Sequence, residues 1–291
     1  MRGTRIWLVI AMIAALFATA LVAGCGDDDD DDATTEEATG DDTASADIET
    51  IEEGVLSVGT DAPYPPFLLS TPDKPDFTGY EVELFNAVAE DLGYEVEYTN
   101  TGFGTIFRDT ANGLFDTAVA SSTIDEKREQ TVDFTDPIYS ASNALLVAEG
   151  SDITSVDDLG DAIVGTQDGT TQEAFANDET DASEVRGFPQ GPDAISALIT
   201  GQVDAVIIEQ PVAADAVEKQ GGVEIVEELE TNELFGWAVA PDNDGLREAM
   251  NEALATLKED GTMEELYEKY FATTPPPSVA AGSTNELLTD D

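Results

Sequence analysis

Anion-gripping chemistry is scarce in this sequence, so each candidate for it carries information. There are six arginines, Arg2, Arg5, Arg108, Arg128, Arg186 and Arg247, against 63 Asp and Glu. Arg128 lies five residues beyond the hydroxyl-rich run Ser121-Ser122-Thr123. A guanidinium presents five donors in a planar fork that matches a carboxylate or phosphate, so this neighbourhood could hold an anion. Spacing alone leaves a second reading open, in which Arg128 sits on a solvent-facing helix and pairs with Glu126 or Glu129. Thr170-Thr171 stands where a helix opens and could cap it.

Other chemistries are excluded by composition. The absence of His removes His-dependent triads and His-ligated metals. The single Cys, Cys25, removes an internal disulfide and any Cys-rich cluster. A formal net charge of −52 repels phosphate backbones, so nucleic acid is not an expected partner. The sequence has no Gly-Lys-Ser/Thr phosphate loop and no Gly-x-Ser-x-Gly elbow, and Gly102-Phe103-Gly104 is too short for a dinucleotide fingerprint. Carboxylates are too numerous for any pair to stand out. No catalytic residue, cofactor or metal is expected.

The elements that must position these residues follow an alternating pattern. Residues 1–24 read as a secretory signal, with basic Arg2 and Arg5 followed by an uncharged, mostly apolar run from Ile6 to Ala23. Val22-Ala23-Gly24 before Cys25 has the form of a lipobox, so Cys25 is the expected lipidation site. Acyl chains there would tether the mature protein to the membrane. Residues 26–53 begin with six consecutive Asp and hold 14 acids and no bases, a composition that stays extended and unfolded. From Gly54 onward, strands over 55–59, 94–98, 115–120, 144–147, 162–165, 205–208, 223–226 and 237–240 alternate with helices over 79–92, 104–112, 156–159, 170–176, 193–200, 211–219, 246–260 and 263–271. Such alternation predicts an α/β protein with mainly parallel sheets flanked by helices. About 215 residues of it suit two linked lobes better than one. Pro275-Pro276-Pro277 opens a polar segment, 273–291, expected to be a flexible tail.

Seven segments, in order, resemble the amino-acid-binding proteins of ABC importers. They begin with Val58-Gly59-Thr60-Asp61-Ala62-Pro63-Tyr64-Pro65-Pro66-Phe67 and Thr78-Gly79-Tyr80-Glu81-Val82-Glu83-Leu84. Thr123-Ile124-Asp125-Glu126-Lys127-Arg128 and Val132-Asp133-Phe134-Thr135-Asp136-Pro137 follow, then Gly169-Thr170-Thr171-Gln172-Glu173, Asp204-Ala205-Val206-Ile207-Ile208-Glu209 and Leu257-Lys258-Glu259-Asp260-Gly261-Thr262. The resemblance is to solute-binding proteins of family 3, with the two-lobe, type II periplasmic-binding fold, in a lipoprotein form. It implies a first lobe over 54–143 plus 236–272 and a second over 144–235. It also implies a monomeric receptor, anchored on the extracytoplasmic face of the membrane, that hands a free amino acid to permease subunits driven by a separate ATPase.

Site roles follow from the same resemblance. Arg128 would fork onto the ligand α-carboxylate, joined by Thr123 and by the N–H of Thr171 at a helix start. The Ser121 carbonyl and Glu209 would take the α-ammonium. Tyr64 and Phe103 would flank the side chain, and Asp61 would reach its polar end, as suits a polar or basic amino acid. Glu209 stands where the family usually carries Asp. That departure admits an alternative on the same fold, a dehydratase acting on prephenate or arogenate with an acidic residue as general acid. A sensory lobe outside transport is a third possibility.

The charge also points to a habitat. Removing the signal and the tether leaves 49 acids against nine bases on the folded part and tail. Repulsion on that scale destabilises a compact state unless salt screens it, which suggests a high-salt organism. Dilution from about 1 M salt to about 0.01 M, which lengthens the screening distance from roughly 3 to roughly 30 Å, is expected to lower the melting temperature markedly. A salt-independent melt in differential scanning calorimetry would contradict this.

Overall fold

The computed structural model describes residues 48–71 and 74–280. The expected signal, Cys25 and most of the expected tether lie outside the described residues, as does 281–291. No helix among those described is long and apolar enough to cross a membrane.

The chain opens with β1 (Val55–Thr60), the short hairpin of β2 (Leu69–Thr71) and β3 (Lys74–Thr78), and α1 (Tyr80–Leu92). Apolar residues at helical spacing, Val82, Leu84, Phe85, Val88 and Ala89, bury one face of α1, and Gly93 ends it in a left-handed cap. Next come β4 (Glu95–Asn100), α2 (Phe103–Ala111), β5 (Thr117–Thr123), β6 (Asp133–Phe134) and β7 (Tyr139–Ala148). A short 3-10 helix, Val156–Asp161, starts at a capping box between Ser155 and Asp158. After it come β8 (Ile163–Gln167), α3 (Thr171–Asp178), β9 (Glu184–Phe188), α4 (Gly191–Ile199), β10 (Ala205–Glu209) and α5 (Gln210–Lys219). The chain closes with β11 (Val223–Val239), α6 (Asp244–Glu259), α7 (Thr262–Phe271) and α8 (Pro277–Ala280).

The main sheet runs β4-β1-β5-β11-β7-β10-β8-β9. On one flank β4, β1 and β5 pair in parallel, and on the other β10, β8 and β9 do the same. Between them β11 and β7 run antiparallel to each other and to their outer neighbours. Each half is thus three parallel strands plus one antiparallel strand, and the central pair joins the halves. The far end of β11 pairs with β5, and its first part pairs with β7.

Three differences from the sequence expectation stand out. The strands expected at 223–226 and 237–240 are one continuous strand, β11, with register shifts between Ile225 and Glu227 and between Leu229 and Glu233. Its middle, residues 227–233, alternates between half-buried and exposed positions, but the half-buried face carries Glu227, Thr231 and Glu233 with Leu229, so the sequence lacks the apolar alternation by which a half-buried strand is recognised. The folded unit includes 48–53, which the sequence assigned to the tether: Ile48 packs on the core, and the Ile51 N–H donates to Asp116 Oδ1 at 2.8 Å. It also extends beyond 272, because α8 buries Val279 completely against the core. Two apolar residues in otherwise polar segments account for both extensions.

The core is densest where the halves meet. Phe67, Tyr80, Tyr139, Phe235, Tyr267 and Phe271 form an aromatic cluster, with ring centroids 4.9 Å apart for Phe67–Tyr139 and 5.6 Å for Tyr139–Phe235. It packs around the paired residues Tyr139 and Phe235 of the two crossing strands. Gly79, at the head of α1, has φ 117°, and a Cβ built there would lie 2.2 Å from the Phe67 carbonyl oxygen. Backbone cannot retreat from such a contact cheaply, and the conformation itself excludes side chains. Gly79→Ala is expected to cost on the order of 3 kcal/mol, measured as a lower urea midpoint at unchanged slope.

Candidate ligand-binding site

Every strand that ends in the cleft brings its carboxyl end to it, the place where open α/β sheets bind ligands. β1 delivers Asp61, β5 delivers Ser121 and Thr123, β8 delivers Gln167 and β10 delivers Glu209. The starts of α2 and α3 add Phe103 and Thr171. All eight residues singled out from the sequence line one narrow cleft, with a free volume of about 10 Å³: Asp61, Tyr64, Phe103, Ser121, Thr123, Arg128, Thr171 and Glu209.

Arg128 is 9% exposed and is held on every side. Its Nη1 donates to the Thr123 carbonyl at 2.7 Å, its Nη2 to the Gly169 carbonyl at 3.3 Å, and its Nε lies 3.3 Å from Asp125 Oδ2. The ionic partner is Asp125, and not Glu126 or Glu129, because 126–131 is a turn and not a solvent-facing helix. The guanidinium also lies over the rings of Phe103 and Phe107, 5.2 and 4.8 Å from their centroids. Burial pulls its pKa down, and the charges of Asp125 and Glu233 oppose that pull. A guanidinium so far from neutral stays charged throughout.

Glu209 supplies the opposite charge. It is 4% exposed; Oε1 accepts from Gln172 Nε2 at 2.8 Å, and Oε2 finds no hydrogen-bond partner among the described residues. Desolvation pushes its pKa up to about 8, with the charge of Glu233 adding to the rise. At the other end of the cleft Asp61 accepts from Gln167 Nε2 at 2.6 Å and from Gln190 Nε2 at 3.2 Å, contacts that cross from one half to the other. Burial raises its pKa, while the two amides lower it. The Tyr64 ring lies against Gly191 of the opposite half, where a Cβ would come within 2.8 Å of it.

Ser121 carries the site's backbone strain, with φ 49° in a residue that has a side chain. Its N–H and Oγ both donate to Glu81 Oε2, at 2.8 and 2.6 Å, and Trp237 Nε1 donates to Glu81 Oε1 at 3.2 Å. Burial raises the Glu81 pKa to about 7 despite these donors. Thr170 caps α3, accepting from the Glu173 N–H. The adjacent Thr171 hydroxyl donates to Glu233 Oε2 at 3.0 Å, and the Thr123 hydroxyl donates to the same oxygen at 3.1 Å.

Sequence reasoning missed Glu81, Gln167, Gln172, Gln190 and Glu233 in this setting. Glu233 is hidden among Glu227, Glu228 and Glu230, and neutral amides carry no recognisable pattern. The one usable signal was position: Gln167 ends a strand whose neighbours also end at the cleft.

The chain belongs to the bacterial extracellular solute-binding proteins of family 3, whose model matches residues 56–273. It is 30% identical over 223 residues to the L-cystine-binding protein TcyJ of Escherichia coli (strain K12), covering 76% of this chain and 84% of that one. An ancestral arginine-binding protein bound to arginine superposes with a TM-score of 0.71 at 36% identity, covering 75% of this chain and 98% of the other. An ancestral amino-acid-binding protein described as a precursor of cyclohexadienyl dehydratase gives 0.68 at 33%, covering 75% and 95%. The fold is the two-lobe α/β fold of type II periplasmic binding proteins.

A cation that pairs with Glu209 must meet its ionised form, so binding at neutral pH expels the proton that burial retains. Below about pH 8 the affinity for a cationic ligand is expected to rise roughly tenfold per pH unit. Titration calorimetry near pH 7 in two buffers of different ionisation enthalpy is expected to show a proton released. In Glu209→Gln both effects are expected to vanish.

Proposed function

We propose that this protein is a receptor that captures an amino acid with a polar or basic side chain between its two lobes and delivers it to an ABC importer. The observation that carries this reading is a buried acid and a buried base lining one cleft, the fixed guanidinium of Arg128 and the carboxyl group of Glu209, which has an oxygen unpartnered among the described residues and ionises when a cation meets it. Burial makes both costly until a partner of opposite charge arrives, and a zwitterion brings both partners at once.

Each group then has a task. Arg128 takes the α-carboxylate, helped by Thr123 and by the N–H of Thr171 at the start of α3. The α-ammonium goes to Glu209 and to the Ser121 carbonyl, since Glu81 already engages the other polar groups of Ser121. Tyr64 and Phe103 flank the side chain, and Asp61 meets its far end. Two acids of the cleft, Asp61 and Glu209, stand against one guanidinium, so a ligand whose side chain carries a second cationic group has a carboxyl group to meet at each of its basic ends. The arginine in the ancestral relative is of that chemistry.

The wider reading includes lobes over 54–143 plus 236–272 and over 144–235, a lipid anchor at Cys25, a monomer on the extracytoplasmic face, and permease subunits with a separate ATPase as partners. The run before Cys25, the acidic spacer and the family support it. A high-salt habitat is supported by the charge alone.

A second reading has one observation in its favour. A carboxyl group titrating near 8 is protonated at neutral pH and could act as a general acid, as in a dehydratase. One set of experiments separates the two. A thermal-shift screen of the twenty amino acids is expected to identify a stabilising ligand, and Arg128→Ala is expected to abolish its calorimetric binding with the circular-dichroism spectrum retained. Unchanged affinity would overturn the site assignment. Product formed from prephenate or arogenate at an enzymatic rate would favour the dehydratase.

A further inference from the structure

Glu233 has no role in the reading above, yet its carboxylate occupies a central position. It lies on β11, paired with Ala141 just after a register shift, at the crossing between the two halves. One oxygen, Oε2, accepts from the Thr123 hydroxyl at the end of β5 and from the Thr171 hydroxyl at the head of α3. Those two threonines are the residues that flank Arg128 in the proposed carboxylate subsite, one from each half. The charge of Glu233 is also felt at both Arg128 and Glu209.

We propose that Glu233 is a specificity-determining residue that stands in for the ligand carboxylate: it holds the Thr123 and Thr171 hydroxyls across the cleft and must be displaced by an incoming carboxylate. Two carboxylates cannot share these donors, because each lacks a proton to offer the other and their charges repel. Capture of an amino acid therefore includes breaking both Glu233 bonds, whereas a ligand without a carboxylate leaves them in place. Glu233 in this way lowers affinity for the α-carboxylate selectively. It also keeps the threonine hydroxyls oriented and spares them from burial without an acceptor. The inference rests on the receptor reading.

The experiment compares L-arginine with agmatine, its decarboxylated analogue, by calorimetric titration of the full chain as wild type, Glu233→Ala and Glu233→Gln. The readout is the ratio of the two affinities. Any general loosening of the lobes alters both ligands alike and cancels in the ratio. The ratio of arginine to agmatine affinity is expected to rise at least tenfold in Glu233→Ala and to rise less in Glu233→Gln, whose amide oxygen still accepts but carries no charge. A ratio unchanged in both variants would overturn the proposal. A loss of affinity for both ligands in parallel would overturn it too, by assigning Glu233 to cation binding or to structure. Should Glu233→Ala fail to fold, the Glu233→Gln ratio decides alone. If neither ligand binds any of the three proteins and the twenty-amino-acid screen is also blank, the receptor reading fails and takes this inference with it. Binding by wild type with an unchanged ratio fails the inference alone.

Discussion

The buried carboxylate of Glu81 ties together the three elements on which the cleft depends. It belongs to α1, holds the backbone and hydroxyl of Ser121 at the end of β5, and accepts from the indole of Trp237 on β11. Burial works against its charge, and its three donors offset that cost. Ser121 can keep a left-handed backbone only because both of its donors are satisfied there. One side chain thereby fixes a helix, a site residue and a crossing strand relative to one another.

The same principle is used with opposite intent a short way off. Glu81 is buried with both of its oxygens accepting hydrogen bonds, whereas Glu209 is buried with an oxygen left over. The first arrangement makes rigid structure. The second makes an unsaturated site whose missing partner is a ligand. Arg128 lies between the extremes: carbonyls and Asp125 hold it, and two phenylalanine faces confine it, so its remaining capacity is directional.

Much of the cleft was legible in the sequence because its charged and aromatic members sit in distinctive runs. Arg128 after Ser121-Ser122-Thr123 stood out among few bases, whereas Asp61 and Glu209, two acids among 63, were reached only through the resemblance of the segments that carry them. The architecture was legible for a related reason: alternating apolar runs of strand and helix length specify crossover connections. What stayed hidden was determined by partners distant in sequence. Glu81 meets Ser121 across 40 residues and Trp237 across 156, and nothing local to Glu81 distinguishes it from Glu83 on the same helix. The middle of β11 escaped because strands are recognised by apolar alternation, and its half-buried face is mostly acidic or polar.

That crossing strand has a mechanical consequence. β7 and β11 are hydrogen-bonded to each other in both halves of the molecule, with the ladder interrupted between Leu229 and Glu233. A ladder resists stretching and sliding far more than it resists twisting, and a gap in it concentrates the twist at one point. The longer of the two breaks in the β7–β11 ladder falls where the strands pass from one half to the other, and Glu233 is the first paired residue beyond it. Displacement of the Glu233 carboxylate, as proposed, would couple occupancy of the cleft to the backbone at that break.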